Sequence, residues 1–197
     1  MSLVNARRNE KILQVAFGRQ AGLVVVLEDV HDPHNACAIL RSCDAFGVQD
    51  IYFIFNKEKP YNPAKIGGSS SSSANKWLTF HAFRSTAECY AELRKKKFKI
   101  MATALAPSAK PLSKTDFCAP RIAIVIGNEH GGLSREAIEG ADNITYFPMC
   151  GMVQSFNVSV FAALCMYEAV RQRGDVKKKY TLSSSGVKKL YKDLMSR

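Results

Sequence analysis

Short apolar runs recur along this chain, and between them the apolar residues spread to spacings of three and four. Residues 23–27, 50–55 and 121–126 are apolar almost throughout, as strands are when a parallel sheet is covered on both faces. Residues 77–80, 98–104 and a stretch opening at Ile144 add shorter strand candidates. Helical spacing covers 5–17, 36–46, 86–97, 135–139 and 158–173. The first helix sets Ala6, Ile12, Leu13, Val15, Ala16 and Phe17 on one side, leaves Arg7, Arg8 and Lys11 to solvent, and ends at Gly18. Asn35 is the expected N-cap of the second and Gly47 its C′ residue, while Ser85 and Glu88 form a capping box for the third. Strands and helices alternate from Leu23 to Arg173, which predicts an α/β fold with a mainly parallel sheet and helices on both faces. The whole of 1–197 is expected to form one domain.

Two stretches carry candidate chemistry. Residues 144–157 pass from an apolar strand through Pro148 and Gly151 to a polar bend, Gln154-Ser155-Phe156-Asn157, and then into a helix whose first half is apolar nearly all round. Such a helix must be covered on several sides. Asn157 is its expected N-cap, and the loop ahead of it presents N–H groups and hydroxyls to a ligand of partly anionic character. The same pattern also describes an ordinary core helix after an ordinary turn. Arg41 sits beside Ala38 and Ala45, whose short side chains leave it room to reach a ligand at the carboxyl end of the preceding strand, or simply to face water.

Composition adds a partner. Hydrophobic residues at 47% and charged residues at 23% are ordinary for a globular protein, no apolar run approaches membrane-spanning length, and the first residues lack a signal-peptide core. A cytoplasmic location without a membrane partner is expected. Six cysteines form no Cys-x-x-Cys pair, and His31 and His34 flank Asp32-Pro33 in what reads as a turn, so no metal site is expected. The net charge of +11 gathers at the ends: residues 1–20 carry +3, residues 171–197 carry +7, and the 150 residues between them only +1. A near-neutral body with basic ends calls for a polyanion, most simply a nucleic acid; a solvated tail is the plainer alternative. The run Arg94 to Lys97 is read as a solvated helix end, and the serines at 69–73 as a linker or an ordered polar loop.

Gly127-x-x-x-Gly131-Gly132 matches neither a P-loop nor a dinucleotide fingerprint. Gly127 to Ser134 does resemble the second motif of the SpoU/TrmH family of RNA ribose 2′-O-methyltransferases, with Glu129 in its acidic position. His34-Asn-Ala-Cys-Ala-Ile-Leu-Arg-Ser-Cys-Asp-Ala-Phe-Gly-Val48 resembles the first motif, and Phe147-Pro-Met-Cys-Gly-Met-Val-Gln-Ser-Phe-Asn-Val-Ser-Val160 the third. The resemblance runs from about Ala6 to Arg173 and is closest to the subgroup that methylates a guanosine ribose in the tRNA D-loop.

That resemblance implies a C-terminal deep trefoil knot, a homodimer, and S-adenosylmethionine as methyl donor. The cofactor would be held by Thr103, Ala104 and Leu105, by Gly127 and Asn128, and by Phe147, Met149, Met152 and Phe156. Arg41 would be essential, as base or as phosphate anchor, with Asn35, Glu129, Ser155 and Asn157 orienting it and the ribose hydroxyl. Arg7, Arg8, Arg19, His34, Arg171, Arg173 and the run 177–179 would hold RNA, from a basic N-terminal helix at 1–20 and a basic tail at 174–197. An rRNA target and a non-catalytic RNA-binding protein are the alternatives.

Overall fold

A computed structural model describes residues 3–66, 74–174 and 180–197. The serine run and the 177–179 lysines fall outside these residues. The elements are α1 (Leu3–Gly18), β1 (Leu23–Glu28), α2 (Pro33–Ala45), β2 (Asp50–Ile54), β3 (Thr79–Phe83), α3 (Thr86–Lys95), β4 (Lys99–Thr103), β5 (Lys110–Pro111), β6 (Ile122–Ile126), α4 (Arg135–Glu139), β7 (Asn143–Tyr146), α5 (Val158–Gly174) and α6 (Ser184–Met195). The seven strands form one sheet in the order β3-β2-β1-β6-β4-β7-β5, and each pairing in it is parallel.

The continuous apolar runs feed two cores because side chains alternate across the sheet. Val25, Leu27, Ile51, Phe53, Ile124 and Ile126 face α2 and α5, where Ile39, Leu40, Cys43, Cys165 and Met166 meet them. Val24, Val26, Tyr52, Ile54 and Val125 face the other way, toward Cys89, Tyr90 and Leu93 of α3 and Ala137 of α4. Each such aliphatic side chain stabilises the fold by roughly 1.5–3 kcal/mol relative to exposure.

Four expectations change. The N-cap of α2 is Asp32, which accepts from His34 N at 2.8 Å ahead of Pro33 in the first turn, so Asn35 lies inside the helix with its side chain free for another partner. Within the basic tail, residues 184–195 form α6, which Ser183 caps and which buries Val187 and Leu194 and packs on α1.

The other two corrections concern arginines expected to hold RNA. Arg19 is only 2% exposed, and its guanidinium donates to Asp44 Oδ1 at 2.6 Å and to Asp44 O at 3.1 Å. Arg173, 1% exposed, donates to the carbonyls of Ala21, Gly22, Phe117 and Ala119 and lies 4.6 Å from the Tyr180 ring centroid. Both are spent inside the protein, joining the end of α1 to α2 and the end of α5 to the start of β1, and neither can meet a phosphate.

Candidate active site

The carboxyl ends of the adjacent strands β6, β4 and β7 open into one cavity of about 320 Å³. This is where open α/β sheets place ligands. Its wall includes Thr103 at the end of β4 with Ala104 and Leu105 after it, Gly127 to Gly132 after β6, Tyr146 at the end of β7 with Phe147, Met149, Gln154, Ser155 and Phe156 after it, and Val158 and Phe161 from α5. The rings of Phe147 and Phe156 meet edge to face with centroids 5.3 Å apart. Met152 is the exception among the expected cofactor contacts: it stands fully in solvent at 101% exposure and is absent from the wall.

The turn after β6 is shaped by its own residues. Asn128 and Gly132 exchange two backbone hydrogen bonds of 3.0 Å, and Asn128 Oδ1 accepts from His130 N and Gly131 N. Gly127 cannot be replaced without moving this turn, since a Cβ there would lie 2.4 Å from the Gly132 carbonyl carbon. Asn128 Nδ2 also donates to Asp29 O at 2.7 Å, tying the turn to the loop after β1.

At the edge of the cavity the polar side chains form a directed chain. Glu129 Oε1 accepts from Asn35 Nδ2 at 3.0 Å, Asn35 Oδ1 accepts from Asn157 Nδ2 at 3.0 Å, and Asn157 Oδ1 accepts from Ser159 N at 2.9 Å. A carboxylate at one end and a backbone N–H at the other fix both amides in one orientation. Asn157 thus caps α5, as expected, while also reaching α2. Burial alone would raise the Glu129 carboxyl, but hydrogen bonds from Asn35, His31 N and Asp32 N hold it below the usual carboxylate value. It therefore presents a negative charge at neutral pH.

The structure brings Asn35, Glu129 and Asn157 together and puts Ser155 on the cavity wall. Arg41 is on the exposed side of α2 and is not part of that wall, about 9 Å along the helix axis from Asn35. His34, Arg7 and Arg8 are exposed, and Arg171 is held by Glu168 in two bonds of 2.7 and 2.8 Å. The sequence named Gln154 in the polar bend without a role of its own and gave none to Tyr146, and both line the cavity; His31, weighed only as a metal ligand, has its Nδ1 2.8 Å from Glu58 Oε2. Tyr146 precedes Phe147 and Gln154 precedes Ser155, both singled out, which was the available signal.

The SpoU rRNA Methylase family matches residues 22–167. A tRNA (guanosine(18)-2′-O)-methyltransferase of Thermus thermophilus is 39% identical over 166 residues, covering 84% of this chain and 83% of that protein. The chain belongs to the SpoU methylase family. Among solved structures, the A. aeolicus TrmH/SpoU tRNA modifying enzyme superimposes with a TM-score of 0.85 at 32% identity, covering 98% of this chain and 96% of that one. The SpoU methyltransferase AviRb from Streptomyces viridochromogenes, solved in complex with the cofactor AdoMet, gives 0.66 at 26% identity over 79% of this chain and 59% of its own. The family's match begins at β1 and ends within α5, so the cavity, the turn at Gly127 and the Glu129 chain all fall inside it.

Proposed function

We propose that this SpoU-family chain is an S-adenosylmethionine-dependent RNA methyltransferase acting on a ribose 2′-hydroxyl, that of a guanosine in the tRNA D-loop, in the cytoplasm. The observation that carries the reading is the cavity at the carboxyl ends of β4, β6 and β7 with the Glu129–Asn35–Asn157 chain on its edge. The residues present fit the cofactor. The cavity falls in the range of small-molecule sites, its aromatic pair suits an adenine, and the ionised Glu129 offers a counter-charge to a cation. Thr103 to Leu105, Gly127, Asn128, Phe147, Met149 and Phe156 would hold it.

When bound, that group supplies a methyl carried on a sulfonium. The chain's own work is to place the hydroxyl in line with it. Asn35 and Asn157 each keep hydrogen-bonding capacity beyond the bonds they make, and Ser155 adds a hydroxyl on the wall; these three orient the ribose oxygen. A guanidinium holds its proton firmly, so Arg41 anchors the phosphate beside the target ribose, and an oxygen of that phosphate takes the hydroxyl proton on its way to solvent as the new O–CH3 bond forms and the sulfonium S–CH3 bond breaks.

The chain 1–197 works as one methyltransferase domain. Residues 147–157 and α5 form a deep trefoil knot, a reading supported by the return of the chain from β7, near one sheet edge, to pack α5 on α2. Arg7, Arg8 and His34 contact RNA from the exposed positions they occupy. A homodimer is supported by α5, whose apolar first half leaves Val160 and Tyr167 about half exposed in one chain. Val160→Glu should lower the sedimenting mass to that of one chain; an unchanged mass would contradict this.

Labelled methyl transfer to tRNA and to rRNA fragments, with Arg41→Ala as control, tests the function. Transfer to a tRNA guanosine ribose is expected. The family's description names rRNA, and transfer to rRNA alone would favour that second target. No transfer to either, with no calorimetric binding of the donor, would overturn the enzyme reading in favour of a non-catalytic RNA-binding protein.

A further inference from the structure

At the other end of the sheet from the cavity, cationic side chains gather around a shallow depression lined by Arg94, Lys97, Phe98, Lys99 and Asp142. It lies where α3 ends and β4 begins. Arg121, just ahead of β6, sets its guanidinium 5.8 Å from the Phe98 ring centroid and donates to Lys96 O at 2.8 Å. Arg94 pairs with Asp142 at 3.2 Å and Lys96 with Glu92 at 3.0 Å. Lys95, Lys97, Lys99 and Arg121 meet no carboxylate among the described residues, so the surface is strongly positive.

The way α3 ends adds a second observation. Lys97 has a φ of +60°, its N–H donates to Arg94 O, and Phe98 N–H donates to Leu93 O, the bond pair of a Schellman ending. The end of α2 is built alike, with Gly47 N–H to Asp44 O and Val48 N–H to Cys43 O, but there a glycine takes the left-handed position at φ +77°. A lysine in that conformation is strained where a glycine is not. The strain sets an ammonium on the rim of the depression, beside Lys99 and the Phe98–Arg121 platform.

We infer that this depression binds phosphates of the same RNA whose ribose enters the cavity, as a second anchoring surface; the inference rests on the proposed RNA methyltransferase reading. The two sites lie at opposite ends of β4, with Lys99 at one and Thr103 at the other, a span of about 13 Å. Fixed cations beside an aromatic ring capped by guanidinium match a nucleic-acid strand, which offers a phosphate every nucleotide and flat bases between. The cluster that reads as a solvated helix end in the sequence becomes a binding surface because the fold brings Lys99 and Arg121 to it.

The test is tRNA binding by the full-length chain carrying Lys97→Gly and Lys99→Gln, measured across salt concentrations. Lys97→Gly removes a charge while relieving the left-handed lysine, so the unfolding midpoint should hold or rise and a lost fold cannot explain the result. The expected outcome is binding weaker by about fivefold for each cation removed and a log–log salt slope lower by about 2. Calorimetric binding of S-adenosylmethionine should stay at the wild-type value. Unchanged affinity and salt slope in the variant, with wild type methylating RNA normally, would overturn the second surface and leave the function intact. A wild-type chain that binds no RNA would overturn both.

Discussion

Glu129→Gln replaces one oxygen by nitrogen and removes one charge, and the geometry says what that does. Oε1 accepts from Asn35 Nδ2 at 3.0 Å and from Asp32 N at 3.2 Å, while Oε2 accepts from His31 N at 3.0 Å. An amide has one acceptor atom, so in its better orientation glutamine keeps the Oε1 pair and turns its NH2 toward the His31 N–H. One charge-assisted bond is lost and two become neutral ones, about 4 kcal/mol before water is counted. Because the group is partly open to solvent, about 2 kcal/mol is the net expectation. Asn35 is then held by a neutral bond in place of a charge-assisted one, on a loop that has lost its His31 anchor, and if the whole loss falls on the transition state kcat drops about 30-fold. The assay is single-turnover methyl transfer, with calorimetric cofactor binding and thermal unfolding as controls. A folded, cofactor-binding variant with kcat within twofold of wild type would refute the reasoning. The pH dependence has a definite sign. With the carboxyl held below its ordinary 4.5, the stability it contributes is complete above that value and is lost as pH falls through the lower one.

Three further outcomes follow from other parts of the molecule. Arg173→Met takes a donor from four buried or half-buried carbonyls, and a loss of about 3 kcal/mol should lower Tm by roughly 6–12 °C without changing the salt slope of RNA binding; an unmoved midpoint would contradict the buried role. Gly127→Ala, whose new methyl meets the Gly132 backbone at 2.4 Å, should abolish calorimetric binding of S-adenosylmethionine while circular dichroism stays native; wild-type affinity would contradict the role of the turn. His31, hydrogen-bonded to Glu58, should titrate above 6.5 by NMR and return toward 6.5 in Glu58→Gln, the pairing being complete at low pH and lost as pH rises through the raised value; an identical titration in the variant would rule the pair out.

The sheet was readable in the chain because β1, β2 and β6 are buried on both faces and therefore apolar apart from Glu28 at the end of β1 and Asp50 at the start of β2. Asn157 was readable as a cap because capping is local. Asn35 was misplaced for a local reason too: an Asp followed by Pro competes for the helix start, and Asp32-Pro33 wins three residues earlier, which releases Asn35 to reach Glu129. The two-residue strand β5 had no pattern to show. α6 did have one, a serine cap ahead of Val187, Leu190, Tyr191 and Leu194, but the lysines between them suggested a tail. Charge counting could not separate Arg19 and Arg173 from exposed arginines, since their burial depends on segments distant in sequence: Asp44 for one and residues 21–22 and 117–119 for the other. Met152 failed in the opposite sense, an apolar side chain in the right loop that the loop's path turns outward.

The most direct test of the account is a crystal structure of the chain soaked with S-adenosylhomocysteine, the demethylated form of the proposed donor. The account predicts the nucleoside between Phe147, Phe156 and the 103–105 segment, with the sulfur facing the Asn35–Asn157 edge. Full occupancy at any other place, or no binding at millimolar concentration with the cavity open, would contradict it.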